Sequence, residues 1–330
     1  LSLDLADLKK VGRPAIMMAC VPASCEILAF FLFAPGILGI TRIEAAVMGA
    51  VLGAVSPAVV VPRMVQLMDA EYGTDKSIPQ LILAGASCDD IFVIVLFSTF
   101  VNMAQGGHAN WTDFVNIPVS IVLGVALGAV TGYLLSAFFE TAYAHKHCVR
   151  NSMKVIVVLG VSFLLMAAET WLEELVSVSG LLAVVSMACV LKIKSTVFVS
   201  KRLSEKFGKL WLAAEVLLFV LVGAAVDIRY TMNAGIAAVL MIFLALIFRS
   251  AGVSLCLAGT PLTGKERAFC MIAYLPKATV QAAIGSVPLA MGLPCGQIVL
   301  SVAVLAILIT APLGALGMDL TYRILLKKAE

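Results

Sequence analysis

Long apolar runs, each bounded by polar or Gly/Pro clusters, dominate the chain. A run of about 20 apolar residues crosses the hydrocarbon core of a bilayer as a helix. The pattern therefore predicts ten membrane-spanning helices, at residues 14–35, 43–68, 78–104, 114–139, 153–170, 175–191, 210–226, 234–258, 267–291 and 297–318. We expect an all-α, polytopic integral membrane protein.

Composition agrees with this pattern and excludes other classes of protein. Hydrophobic residues make up 62% of the 330 positions and charged residues only 13%, against about 25% in soluble proteins. So few charges cannot cover a soluble globule of this size, which excludes soluble enzymes and nucleic-acid-binding proteins. With only three histidines, we expect neither an enzyme nor a bound cofactor.

Basic residues fall almost entirely on one side of the predicted membrane. Of 23 Lys and Arg residues, 19 fall on one side, in alternate loops, at the two ends of the chain or in the adjoining ends of spans. Arg42 and Arg229 lie on the other side, and Arg249 and Lys277 lie within spans. Because basic loops stay in the cytoplasm, both ends are predicted to be cytoplasmic. We expect the membrane to be the inner membrane of a bacterial cell.

An internal repeat relates the start of the chain to the region before the eighth span. Glu26 lies 22 residues after Asp4, within a span that is followed by one interrupted by proline. Arg249 lies 22 residues after Asp227 in the same setting. The first and eighth spans run in opposite directions, so the repeat is inverted, as in many secondary transporters. The second repeat has two spans ahead of Asp227, which predicts at least two further helices before Leu1.

Two adjacent carboxylates, Asp89 and Asp90, lie near the middle of the third span. A carboxylate at the bilayer centre costs roughly 2.5 to 3.5 kcal/mol on insertion scales, so each needs a function. Two neighbouring acids cannot easily both be ionised there, and their oxygens suit a cation such as Na⁺. The pair can therefore exchange a proton for a metal ion, which is the chemistry of an antiporter.

Proline interrupts the second span at Ser56-Pro57 and the ninth at Leu275-Pro276-Lys277. Proline removes a helical hydrogen bond, and irregular backbone at membrane depth is tolerated where it lines a cavity. We expect the two breaks to cross beside Asp89 and Asp90, with Ser56, Pro57, Lys277 and Thr279 supporting the ion site.

Three buried charges leave alternatives open. Lys277 would neutralise an empty carboxylate site, stabilise the unwound backbone or carry a proton, and the sequence does not separate these roles. Glu26 and Arg249 are equivalent in the repeat and opposite in charge, so we expect them to pair across the bundle interior. A structural or conformational role is favoured for the pair over direct ion binding.

Three segments resemble the NHA-type sodium/proton antiporters of the monovalent cation:proton antiporter superfamily. They are Gly53–Pro62, Ser87–Asp90 and Leu275–Gly285. The resemblance implies a homodimer with a mobile core domain and a dimerisation domain, working by elevator-like alternating access. It also implies the ion-binding pair at Asp89 and Asp90, the intramembrane ion pair at Glu26 and Arg249, and the broken-helix lysine at Lys277.

By the same resemblance, residues 1–105 and 231–330 are predicted to form the core ion-transport domain. Residues 106–150 form a linker helix and cytoplasmic loop, and residues 151–230 form dimerisation helices. The expected function is exchange of Na⁺ or Li⁺ for H⁺, with membrane lipid and a second copy of the chain as partners. The alternative is a sodium-coupled symporter for an organic acid, or a sensor that does not transport. The polar groups at the breaks, Ser56, Thr279 and Gln281, suit a bare ion better.

Overall fold

The computed structural model describes residues 5–106, 111–146, 151–172, 178, 180–195, 197–225 and 228–328, and these residues are helical apart from turns and one isolated bridge between Tyr72 and Lys328. Within them the helices are α1 (Leu5–Leu38), α2 (Arg42–Leu52), α3 (Pro57–Asp69), α4 (Ile78–Gly106), α5 (Trp111–Lys146), α6 (Asn151–Leu172), α7 (Gly180–Lys194), α8 (Val197–Ala225), α9 (Ile228–Cys256), α10 (Gly264–Ala273), α11 (Thr279–Ile284), α12 (Val287–Ala290) and α13 (Gly296–Leu325).

The chain divides into two compact units. The site unit comprises Leu3–His108 and Leu218–Glu330, and therefore contains α1–α4 and α9–α13. The second unit comprises Leu1–Ser2 and Ala109–Leu217, with α5–α7 and most of α8. The transport and dimerisation roles expected for parts of the chain stay predictions.

Seven segments of the described residues are long and apolar enough to cross a membrane: Gly12–Leu38, Arg42–Asp69, Ile78–Gly106, Val122–Thr141, Ser152–Glu169, Gly235–Cys256 and Gly296–Leu325. The other three predicted spans differ from this pattern. The span at 175–191 falls partly outside the described residues, and the ninth span is divided into short helices. The seventh belongs to α8, which begins earlier than predicted, at Val197 in the basic segment.

Both interrupted helices begin with the same N-terminal capping motif. Thr41 and Glu44 form a capping box at the start of α2, and Thr263 and Glu266 form one at the start of α10. In each, the threonine hydroxyl accepts from the glutamate N–H while the glutamate carboxylate accepts from the threonine N–H, which satisfies two otherwise unpaired donors.

The two predicted breaks are confirmed. Residues 53–56 separate α2 from α3, and Pro57 is the first residue of α3, where its missing N–H costs nothing. Residues 274–278 separate α10 from α11. Each broken helix thus ends and restarts inside the site unit, which leaves backbone groups without helical partners.

Two large apolar clusters occupy the site unit, beside smaller ones that include Ala23, Ala54, Val93 and Val280. One is built from buried residues within 27–34, 45–52, 97–101, 238–246 and 295–306, and the other from residues within 15–18, 55–67, 78–86, 253–274 and 318–326. Along α1, α4 and α9 the change from one cluster to the other falls beside Glu26, Asp89 and Arg249, respectively. The buried charges therefore lie between two apolar layers, near the middle of the spans.

Glycines allow close packing within the second unit. A Cβ atom at Gly128 of α5 would lie 2.1 Å from the carbonyl oxygen of Ala183, and one at Gly132 would lie 2.6 Å from that of Met187. Both neighbours belong to α7. The repeated glycine spacing on α5 therefore brings two helices of the same chain together.

Candidate functional site

Side chains of the second repeat bind the buried C-terminal end of α2. The last carbonyls of a helix have no partner within it. The three consecutive carbonyls of residues 52–54 accept hydrogen bonds from the side chains of Lys277, Arg249 and Gln281, in that order. The first break is therefore closed by groups from the other half of the chain.

The backbone of the two breaks is also joined directly. The N–H of Ser56 donates to the carbonyl of Pro276 at 2.8 Å. Ser56 is fully buried, precedes Pro57 at the start of α3, and its Oγ has no hydrogen-bond partner among the described residues. Thr279 is buried at the start of α11. The structure thus brings the predicted supporting residues to the crossing.

Four buried charges form a single cluster, which we call the charge cluster: Glu26, Asp89, Arg249 and Lys277. Glu26 Oε2 lies 2.7 Å from Arg249 Nη1 and 2.5 Å from Lys277 Nζ. Arg249 Nη2 lies 2.9 Å from Asp89 Oδ2. Each of the four side chains is 2% exposed or less. Two acids and two bases give a formal charge of zero, which is how buried charges avoid the cost of standing alone.

Arg249 is further held by Tyr274. Its Nε donates to the carbonyl of Tyr274 at 2.6 Å, and its guanidinium carbon lies 5.5 Å from the centre of the Tyr274 ring. The ring reaches this place because Gly85 of α4 has no side chain: a Cβ there would lie 2.0 Å from the Tyr274 hydroxyl. Gly85 therefore admits the aromatic ring one helical turn before Asp89.

The two adjacent aspartates have different surroundings. Asp89 Oδ2 accepts from the N–H of Val55 at 2.8 Å as well as from Arg249. Asp90 has no ion pair within the described part of the chain, and its buried Oδ1 has no hydrogen-bond partner there. Asp89 is thus neutralised by a fixed cation, and Asp90 is not.

Sequence reasoning missed several of these contacts. The predicted proximity of Glu26 and Arg249 is present, but their contact is part of a larger cluster that includes Asp89 and Lys277. Thr310 of α13 was also missed; its Oγ1 accepts from the N–H of Lys277 at 2.9 Å. The signal for Thr310 was its place in the repeat, which corresponds to that of Asp89 to within one or two residues.

Within the described part of the chain, the unpaired oxygens at the breaks are not gathered into a cluster of metal-ligand side chains. Among the described residues there is no group of three or more His, Cys, Asp or Glu side chains that could hold a metal ion. The buried, unpaired oxygens on the residues at the breaks come instead from two carboxylates, two hydroxyls and one amide, those of Asp89, Asp90, Ser56, Tyr274 and Gln281.

Residues 1–319 match the family described as sodium/hydrogen exchanger, transmembrane. The chain belongs to the sodium/hydrogen exchanger family. Sodium/hydrogen exchanger 9B2 of Homo sapiens is 34% identical over 342 residues, covering 100% of this chain and 62% of that protein. Sodium/hydrogen exchanger 9B1 of Homo sapiens is 32% identical over 352 residues, covering 97% of this chain and 62% of that protein. This exchanger-family chain therefore spans about three-fifths of the length of these relatives.

A solved structure shows the same fold. The sodium proton antiporter MjNhaP1 from Methanocaldococcus jannaschii superposes with a TM-score of 0.82, covering 98% of this chain and 81% of that one. The sequence identity is 20%, so the likeness shows the fold alone. The family and the antiporter fold expected from the sequence are confirmed.

Proposed function

We propose that the chain exchanges Na⁺ or Li⁺ for H⁺ across a membrane, with Asp90 as the exchanging carboxylate and Asp89 as its fixed neighbour. One observation carries the proposal: Asp90 has a buried oxygen with no hydrogen-bond partner among the described residues, and it follows in the chain a carboxylate already neutralised by Arg249. The names of the animal exchangers and of the archaeal antiporter support the same activity.

Charge balance supports a mechanism of alternating occupation. The charge cluster is formally neutral, so ionised Asp90 adds one negative charge near the middle of the membrane. Either a proton or a sodium ion removes that charge, and an empty site remains costly at this depth. The protein with a proton or a cation bound therefore switches between its outward-open and inward-open states more easily than the empty protein. This difference couples the movement of the two ions in opposite directions.

The contacts of Lys277 favour one-for-one exchange. Its ammonium lies 2.5 Å from Glu26 and also donates to the carbonyl of Leu52. An ammonium held in this way serves both to balance charge and to close the broken helix. We therefore assign proton exchange to Asp90 and keep Lys277 charged through the cycle, so that transport is electroneutral.

Contacts between loops support the grouping of the basic loops on one side of the membrane, and the cytoplasmic assignment of that side stays a prediction. Lys76, which precedes α4, binds Glu266 at the start of α10 at 2.9 Å. The N–H of Gly73 donates to the carbonyl of Lys327 near the end of the chain. These segments were all placed on the cytoplasmic side by their basic residues, and their contacts require them to share one side. The bacterial inner membrane stays a prediction, and the matched exchangers described above are animal proteins.

The homodimer and the elevator-like movement also stay predictions. They rest on the resemblance to the antiporter family, with residues 151–230 as the expected dimerisation helices. Cross-linking of the purified protein in membranes would test the dimer independently of transport.

The direct test of function is proton movement in proteoliposomes. With the full-length protein reconstituted and an internal pH dye, an imposed Na⁺ or Li⁺ gradient should drive protons in the opposite direction. Asp90→Asn should abolish this movement because the amide cannot be ionised. Asp69→Asn, at the end of α3, is the matched control and should keep it.

The outcome also separates the rival functions. Normal exchange by Asp90→Asn would contradict the site. Sodium-dependent uptake of an organic acid without counter-movement of protons would indicate a symporter, and ion binding without any flux would indicate a sensor.

A further inference from the structure

Gln281 is a buried polar residue whose contacts lie at the crossing of the two breaks. It lies on α11, has no exposed surface, and its Nε2 donates to the carbonyl oxygen of Ala54 at 2.9 Å. A carbonyl oxygen only accepts, so this contact fixes which end of the amide is the nitrogen. The amide oxygen, Oε1, therefore faces away from Ala54.

That amide oxygen has no hydrogen-bond partner among the described residues, although it is buried. An unsatisfied buried acceptor is costly, and such groups are found where a ligand completes them. Six other side-chain oxygens of the described residues share this condition, and three of them, Ser56 Oγ, Asp89 Oδ1 and Asp90 Oδ1, make four together with Gln281 Oε1. The remaining three belong to Gln80, Tyr274 and Gln297.

The four oxygens belong to one set of connected residues. Gln281 binds Ala54, and Ser56 lies two residues further along the same break. The N–H of Val55, between them, donates to Asp89, which precedes Asp90 in the chain. The break at residues 53–56 thus contains Ser56 and contacts Gln281 and Asp89, and Asp90 follows Asp89 in α4.

We propose that Gln281 determines cation affinity at the ion site, with Nε2 holding the first break and Oε1 as a neutral oxygen ligand to the transported cation. This inference rests on the proposed function. A neutral ligand stabilises a hard cation while leaving the charge count of the site unchanged, so the exchange of one proton for one cation still balances.

This arrangement separates binding from turnover. Asp90 accepts the proton, so a substitution of Gln281 should leave proton transfer unchanged and lower the affinity for the cation. Loss of one neutral ligand corresponds to about a tenfold rise in the apparent KM for Na⁺. The rate at saturating Na⁺ should stay within about twofold, as expected for loss of uniform binding.

The test compares variants of similar volume in proteoliposomes. Gln281→Met removes both polar atoms at nearly constant size, and Gln281→Asn keeps the amide on a shorter stem. We expect the apparent KM for Na⁺ to rise about tenfold in the first and less in the second. Gln297→Met is the matched control: Gln297 also carries a buried Oε1 without a partner in the described part of the chain, but it lies in the first turn of α13. Its KM should not change.

Binding without transport gives a second measurement. Na⁺ should raise the melting temperature of the wild-type protein in detergent, and the concentration giving half of this rise should increase in Gln281→Met but not in Gln297→Met. A Gln281→Met protein that melts like the wild type without Na⁺ is folded, so its affinity can be compared directly.

Two results would overturn the inference. One is an unchanged KM and Na⁺-dependent melting in Gln281→Met while the wild type exchanges Na⁺ for H⁺. The other is an equal loss in Gln281→Met and Gln297→Met, which would make the effect one of packing. Absence of exchange in the wild type would instead refute the proposed function.

Discussion

The two repeats of the site unit share the same arrangement of helices, but the buried side chains at corresponding positions of their long helices have opposite charge. Glu26 and Arg249 lie 223 residues apart, and nearly the same spacing relates the capping box at Thr41 to that at Thr263. Each repeat has a long helix with one charge near its middle, followed by a capped helix that breaks. The first repeat carries an acid at that position and the second a base.

A further difference lies where each break meets the helix behind it. In the first repeat the N–H of Val55 donates to the carboxylate of Asp89. In the second, the N–H of Lys277, at the corresponding position, donates to the hydroxyl of Thr310. The corresponding backbone N–H therefore donates to a charged acceptor in the first repeat and to a neutral acceptor in the second. The backbone is thus symmetric at the two breaks, but a carboxylate accepts this hydrogen bond only at the first.

The largest effect is expected from removing the charges that distinguish the repeats. Glu26→Gln or Arg249→Met leaves an unpaired buried charge and should lower the free energy of unfolding by ~3 to 5 kcal/mol. Exchanging the two residues should restore only part of this, since a glutamate at position 249 would also face Asp89. Melting in detergent measures both effects.

The control for this comparison is the partly exposed pair of Arg63 and Asp319, whose loss through Asp319→Asn should cost at most about 1 kcal/mol. Additive losses in the exchanged protein, with no recovery at all, would mean that Glu26 and Arg249 do not stabilise each other.

A smaller effect is expected at the neutral acceptor of the second repeat. Thr310→Val keeps the shape of the side chain but leaves the buried N–H of Lys277 without a partner, which should cost about 1 to 3 kcal/mol. Thr310→Ser keeps the hydroxyl and should lose much less. If both variants melt at the same temperature, the hydrogen bond contributes nothing to stability.

Competition between protons and sodium ions should follow from the single carboxylate site. While the site carboxylate is mostly protonated, each unit fall in pH should weaken the apparent affinity for Na⁺ about tenfold, since one proton excludes one cation. Two exchanging sites would give a steeper dependence. Transport measured at several Na⁺ concentrations between about pH 6 and pH 9 checks this, and a constant affinity would contradict competition.

The smallest effects concern the two capping boxes. Thr41→Ala and Thr263→Ala should each cost about 1 kcal/mol. The two capping boxes differ in the surroundings of their glutamates. Glu266 is buried and lies 2.9 Å from Lys76, whereas Glu44 has no such ion pair among the described residues. Burial by itself would raise the pKa of Glu266, but hydrogen bonds from Lys76 and Thr263 outweigh it and hold that pKa below its ordinary value.

A lowered pKa gives a defined pH dependence. The stabilisation by Glu266 should be complete above its ordinary pKa and lost as the pH falls through the lower value of the folded protein. Glu266→Gln should therefore destabilise the protein at pH 7 and have less effect below about pH 4. An equal effect at both pH values would show that the charge of Glu266 is unimportant.

The sequence predicted the features that depend on local pattern. Apolar runs located most of the spans, prolines located both breaks, and the repeat brought Glu26 and Arg249 together. Residues 192–209, which carry six Lys and Arg residues, fall between two predicted spans, yet Lys and Arg are good helix formers and α8 begins among them, at Val197.

Contacts that depend on side-chain reach could not be predicted in this way. Arg249 lies 160 positions from Asp89 in the chain, and Lys277 lies 251 positions from Glu26. Spacing assigns these residues to the crossing but does not decide which acid each base contacts. The same applies to the amide of Gln281 and the carbonyl of Ala54.

The charge cluster also sets an order of events during synthesis. Glu26 is made 223 residues before Arg249, which at ~5 to 20 residues per second corresponds to roughly 10 to 45 s. Until then, Glu26 and Asp89 have no basic partners from the second repeat. The carbonyls at the C-terminal end of α2 likewise lack the side chains that later donate to them. An uncompensated acid costs ~2.5 to 3.5 kcal/mol on insertion scales. Arrival of α9 and the second break, and not insertion of α1 and α4, therefore completes the first repeat.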